Sequence, residues 1–86
     1  MAKFVLRLKK SAEKELQSLP IAAVIQINQS VLNLADDPFP HGYKKLKGLK
    51  NMYRIRSGDY RIIYTIHQQI LIIEILKIGH RKDIYD

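Results

Sequence analysis

Three segments rich in isoleucine and tyrosine, residues 52–57, 60–66 and 70–78, fill the second half of the chain, separated only by Gly58-Asp59 and a short turn at residues 67–69. Runs of this length and composition read as strands, and connections so short join only antiparallel neighbours. The second half is therefore expected to form a three-stranded meander. Its last strand is nearly continuous in apolar residues apart from Glu74 and Lys77, which places it inside the sheet with at least one face covered. Gly58-Asp59 puts glycine at the first central position of a type II′ turn, so Ser57 pairs with Tyr60 and Arg56 with Arg61. Because strand side chains alternate, that register gathers Arg54, Arg56 and Arg61 on one face, whereas a three-residue loop would send Arg61 to the other. A two-residue connection at the next turn brings Glu74 to the same face.

The first half supplies the cover. Phe4, Leu6 and Leu8 alternate with Val5 and Arg7 as a first strand. Ser11 can cap a helix running to about Leu19, which buries Ala12, Leu16 and Leu19 and exposes Glu13, Lys14 and Gln17. Pro20 suits the first turn of a second helix whose apolar stripe is read as Ile21, Val24, Ile25, Val31, Leu32 and Ala35, stopped by Asp36, Asp37 and Pro38. Residues 39–50, preceded by Pro38 and containing Pro40, Gly42 and Gly48, read as a loop. The expected architecture is a single α+β domain over residues 1–86: an N-terminal strand, an antiparallel helix hairpin, then a three-stranded antiparallel meander, with all strands in one sheet. A chain of 86 residues cannot enclose both a core and a deep cofactor cleft, so any active surface is expected to be shallow.

Charge is the second constraint. Between Phe39 and Gly58 stand six cations, Lys44, Lys45, Lys47, Lys50, Arg54 and Arg56, and no acid, in a chain of net charge +7. Cations so concentrated repel one another unless an anion fills the space, and a phosphodiester backbone is the commonest such ligand. The absence of cysteine excludes disulfides and thiolate metal sites. His41 and His67 have no second ligand nearby in sequence, so no metal is expected; no cofactor is expected either, since no glycine-rich phosphate loop or nucleophile elbow is present. Lys3, Arg7, Lys9 and Lys10 interrupt the N-terminal apolar run, and residues 70–73 are the longest apolar stretch, far short of a membrane span. A soluble, cytoplasmic protein without membrane contact is the expectation.

The tail, Gly79-His80-Arg81-Lys82-Asp83-Ile84-Tyr85-Asp86, adds a further guanidinium and two groups able to move protons. RNA can be cut without a metal if the 2′-hydroxyl is deprotonated, the phosphorane is stabilised and the 5′-oxygen leaves with a proton. Arginine forks suit the middle task and are poor bases. Proton transfer then falls to Tyr85, His80, or a lysine such as Lys45 or Lys47; Glu74 is a weaker candidate beside arginines.

Lys45-Leu46-Lys47-Gly48-Leu49, Tyr53-Arg54-Ile55-Arg56, Gly58-Asp59-Tyr60-Arg61-Ile62-Ile63-Tyr64 and the closing Gly79-His80-Arg81-Lys82-Asp83-Ile84-Tyr85, following a strand and a lysine- and glutamate-rich helix, together resemble the RelE/ParE superfamily of toxins from type II toxin–antitoxin systems. The resemblance covers nearly the whole chain. It implies a RelE-like, microbial-ribonuclease-like fold and, for the RelE branch, a metal-independent endoribonuclease (an mRNA interferase). Such an enzyme cleaves mRNA in the ribosomal A site, leaving 2′,3′-cyclic phosphate and 5′-hydroxyl ends, and so inhibits translation. It also implies a cognate antitoxin, with the ribosome (16S rRNA) and mRNA as the other partners. Carried over by position, the catalytic set falls on Arg54, Arg56, Arg61, Arg81 and Tyr85. RNA or ribosome contacts fall on Lys44, Lys45, Lys47, Lys50, His80 and Lys82. In the best-known RelE toxins lysines stand where this chain has Arg54 and Arg56, so a mechanism using a lysine base there does not transfer. The alternative is a ParE-like DNA gyrase inhibitor without nuclease activity; retention of Arg61, Arg81 and Tyr85 favours the ribonuclease branch. A plain nucleic-acid-binding module is the third reading.

Overall fold

A tight turn and one parallel pairing organise the chain. In the computed structural model, which describes residues 3–48 and 50–80, five strands form one sheet in the order β1-β5-β4-β3-β2. They are β1 (Val5–Leu8), β2 (Lys44–Lys45), β3 (Met52–Ser57), β4 (Tyr60–His67) and β5 (Ile72–His80), with helices α1 (Lys10–Gln17) and α2 (Ile21–Asp36) between β1 and β2. β1 lies parallel to β5 and every other pair is antiparallel. The meander, the N-terminal strand and the helix pair stand where the sequence puts them, and β5 is internal. Gly58 takes φ +61° while Asp59 stays out of the left-handed region, as a II′ turn requires, and Ser57 pairs with Tyr60 and Arg56 with Arg61.

The two helices cover one face of the sheet. Leu6 and Leu8 on β1, Ile55 on β3, Ile62, Tyr64 and Ile66 on β4, and Ile73, Ile75 and Ile78 on β5 pack against Ala12 and Leu16 of α1 and Ile27, Val31 and Leu34 of α2. Tyr64 is fully buried, and its hydroxyl donates to the Pro38 carbonyl at 2.7 Å. Where β1 leaves the sheet after Leu8, β5 loses its parallel neighbour, and the Ile78 amide instead donates to Glu15 Oε1 of α1 at 3.0 Å. That bond satisfies a buried donor that would otherwise cost about 1–3 kcal/mol.

Several local expectations are corrected. α1 starts at Lys10, because the Lys9 carbonyl accepts the first helical bond, from the Glu13 amide; Ser11 lies in the first turn and is not the cap. On α2, Ile21, Ile25 and Leu32 are exposed, whereas Ala23, Ile27, Val31, Leu34 and Ala35 are buried. The helix is apolar on two faces, and the packed face is the one where Ala23 and Ala35 allow close approach. Pro20 is the residue before the helix rather than its first. Lys44–Lys45, expected in a loop, form the two-residue strand β2 against β3. β4 runs on through His67 and β5 starts at Ile72, so the connection is residues 68–71 rather than a two-residue loop; Leu71 takes φ +55° there. The added length is even, so the face assigned to Glu74 is unchanged.

The hairpin tip is tied to α2. Ser57 Oγ donates to the Gln26 carbonyl at 3.4 Å and lies 2.9 Å from Ser30 Oγ. A Cβ on Gly58 would stand 2.8 Å from Gln26 Nε2. Gly58→Ala should therefore lower unfolding free energy by about 1–2 kcal/mol, the cost of a left-handed alanine, plus displacement of Gln26; an unchanged urea midpoint would contradict this reading of the turn. Burial, then Tyr53, Asp37 and Tyr43, raises the Tyr64 pKa above its ordinary value. A raised folded-state pKa means the unfolded phenol ionises first, so this contribution is intact below about pH 10 and lost above it. Tyr64→Phe should flatten the fall in stability between about pH 9 and 11; parallel curves for variant and parent would refute it.

Candidate nucleic-acid interface

The face of the sheet turned away from the helices carries the charge. Residues paired across strands share a face, so register alone assigns it: Lys44 pairs with Arg54, Arg54 with Ile63 and Arg56 with Arg61, Ile63 with Lys77 and Arg61 with Gly79. Four strands thus bring Lys44, Arg54, Arg56, Arg61 and Lys77 together. One step along, Arg7 of β1 pairs with Glu74, which pairs with Thr65. Glu74 lies on the arginine face as expected, at its far side. Among the described residues no group of three or more His, Cys, Asp or Glu side chains that could hold a metal ion occurs.

The three arginines differ in exposure. Arg56 is exposed and Arg61 half-buried, whereas Arg54 is only 4% exposed, flanked by Lys44 and Ile63 in register. Burial first, then repulsion from Arg61 and Arg56, lowers the Arg54 pKa from its ordinary value. The site holds like charges close together, which is costly in itself. A guanidinium keeps its proton at any physiological pH, so what Arg54 can offer a ligand is charge and hydrogen-bond donation, and it cannot serve as a base.

The lysine loop reaches this face only in part. Leu46 is buried, its amide donates to the Met52 carbonyl at 3.0 Å, and it anchors the exposed Lys45, Lys47 and Lys50. A shallow depression of ≈ 220 Å³ joins Lys44, Lys45 and Lys47 to Arg54. Lys45 pairs with Tyr53 and so belongs to the helix side, near an aromatic group in which Phe39 lies 5.1 Å from Tyr43 and 5.3 Å from Tyr53, ring centre to ring centre. His80 also falls on the helix side. It pairs with Tyr60 and meets that ring edge-on at 5.6 Å, away from the arginines. Arg81, Lys82 and Tyr85 lie outside the described residues.

Sequence reasoning missed Lys77 as part of this face. Strict alternation from Glu74 turns Lys77 toward the core, but the β4–β5 register shifts between Ile63 and Tyr64, and the extra β5 residue returns Lys77 to the open side. The signal was present as the spacing of Ile73, Ile75 and Ile78, where a step of three interrupts steps of two.

The model of the ParE toxin of type II toxin–antitoxin systems, parDE, matches residues 6–85. Toxin RelG of Mycobacterium tuberculosis is 29% identical, over 95% of each chain. Among solved structures, a RelE–RelB complex from the archaeon Pyrococcus horikoshii contains a chain 32% identical to this one, with a TM-score of 0.82 over 98% of this chain and 100% of that one. A mutant of Escherichia coli toxin RelE in the free state is 25% identical, with a TM-score of 0.78 over 95% of this chain and 86% of that one. The open cationic sheet, the helix hairpin behind it and these likenesses over nearly the full length lead to one conclusion: the chain belongs to the RelE/ParE superfamily of toxins from type II toxin–antitoxin systems, and is RelE-like within it.

Proposed function

We propose that this toxin is a ribosome-dependent endoribonuclease that cuts mRNA in the A site. The observation that carries the reading is the set of Arg54, Arg56 and Arg61 on one open sheet face, with Arg54 buried and its pKa lowered by that burial first and then by the other two. Such a group binds a phosphate whose charge grows toward the transition state. Arg61, with Arg81, would stabilise the phosphorane; Arg54 and Arg56 would orient the scissile phosphate; Tyr85 would stack on the substrate or transfer a proton. Lys44, Lys45, Lys47 and Lys50 would contact ribosomal RNA. The products would be a 2′,3′-cyclic phosphate and a 5′-hydroxyl, with no metal taking part.

A cognate antitoxin is the proposed stable partner. Several structural relatives were solved as complexes with RelB, and a basic face of this kind invites an acidic or amphipathic segment to wrap around it. No described helix is long and apolar enough to cross a membrane, and the proposed site of action is the cytoplasm. The matched family model carries the ParE name, so the test must also separate a gyrase inhibitor.

Purified toxin added to programmed ribosomes should cut the message in the A-site codon and leave gyrase supercoiling intact. Arg61→Ala should lower the cleavage rate ~10²–10³-fold, as the loss of one transition-state donor does, with an unchanged unfolding midpoint. Intact message together with lost supercoiling would replace this reading by the gyrase one. Cleavage at the parental rate by Arg61→Ala would remove Arg61 from the site.

A further inference from the structure

Lys77 stands on the arginine face only because β5 is irregular. The register shift opposite Ile63 and Tyr64 inserts one residue between Ile75 and Ile78, both fully buried. The shift turns Lys77 outward, where it is exposed. Bulges of this kind recur beside active sites because they re-aim one side chain without moving the core. Here the next residue is fixed independently, by the bond from the Ile78 amide to Glu15 Oε1 at 3.0 Å. The strand after Lys77 is therefore held from both sides, by β4 and by α1.

The position is continuous with the arginines. Lys44, Arg54, Ile63 and Lys77 form one row across β2, β3, β4 and β5, about 14 Å long at the usual strand spacing. Beside it runs the row Arg56, Arg61, Gly79. Gly79 has no side chain, and glycine within a strand marks a place where another backbone can approach. The cleft of ≈ 300 Å³ at this edge of β5 has a lining that includes Glu15 of α1, Ser18 and Leu19 just after it, and Tyr60 and His80, so it belongs to the helix side. A polynucleotide lying on the arginines and following the first row across the strands meets Lys77 on β5.

We propose that Lys77 binds the phosphate next to the one held by Arg54, Arg56 and Arg61, so that the substrate backbone runs from β3 across β5. This rests on the reading of the open face as an RNA surface. Lys77 supplies a point charge for binding, and the reaction at the neighbouring phosphate is left to the arginines.

The test is a salt titration of binding to a fluorescent single-stranded oligouridylate, read by anisotropy, for the parent, Lys77→Ala, Lys77→Arg, Arg61→Ala and the α1 surface control Lys14→Ala. Each phosphate contact contributes about 0.7 to the slope of log K against log salt for a single strand. Lys77→Ala should reduce the slope by about that amount, Lys77→Arg should restore it, and Lys14→Ala should leave it at the parental value. A parental slope in Lys77→Ala while Arg61→Ala lowers it would overturn the Lys77 contact alone. Equal reductions in Lys77→Ala and Lys14→Ala would overturn it too, as a general loss of charge. Salt-insensitive binding by the parent would overturn the RNA-surface reading and this proposal with it.

Discussion

The register of the β3–β4 hairpin is the constraint on which the rest of the structure depends. Gly58 and Asp59 close it, Ser57 and Tyr60 pair next to the turn, and each residue outward inherits its face from that pair. One residue of slip would turn Ile55 and Ser57 outward and drive Arg54 and Arg56 into the packing layer beneath α2, exchanging core and site together. The fold therefore protects the register at several points: a left-handed glycine, the Ser57 contacts with Ser30 and the Gln26 carbonyl, and the buried Ile55 and Ile62, which are cross-strand partners.

With the register fixed, the sheet does two different jobs. Its helix side is a packed apolar layer in which Tyr64 is buried to its hydroxyl. Its open side holds Arg54, whose proton affinity is lowered by burial first and then by Arg61 and Arg56. Stability alone does not favour that arrangement, since like charges near low-dielectric walls repel. Local conflict inside an otherwise consistent fold points to function more often than to stability. The acid nearest in register, Glu74, sits one row away beside Arg7, and it bounds the patch on that side.

Much of this was legible in the chain. Gly58-Asp59 between two isoleucine- and tyrosine-rich runs specifies the turn, the turn specifies the pairing, and the pairing places Arg54, Arg56 and Arg61 together. Other features were hidden for physical reasons. α2 has two apolar stripes, and periodicity cannot choose between them until a sheet is present to pack against. β2 is two lysines whose strand character comes from a partner, β3, and not from β propensity. Arg54 is buried between register neighbours on both flanking strands, Lys44 and Ile63. Lys77 was not placed on this face, because strict alternation fails at a bulge that only the spacing of Ile75 and Ile78 betrays.

On the proposed function, the open face and not the helix side meets RNA. Amide chemical shifts of the isotope-labelled protein, followed during titration with a short single-stranded RNA, test it most directly. The account predicts that the largest changes fall on Lys44, Arg54, Arg56, Arg61 and Lys77, with α1 and α2 nearly silent. Changes confined to α2 and the Phe39–Tyr43–Tyr53 aromatic group would contradict it.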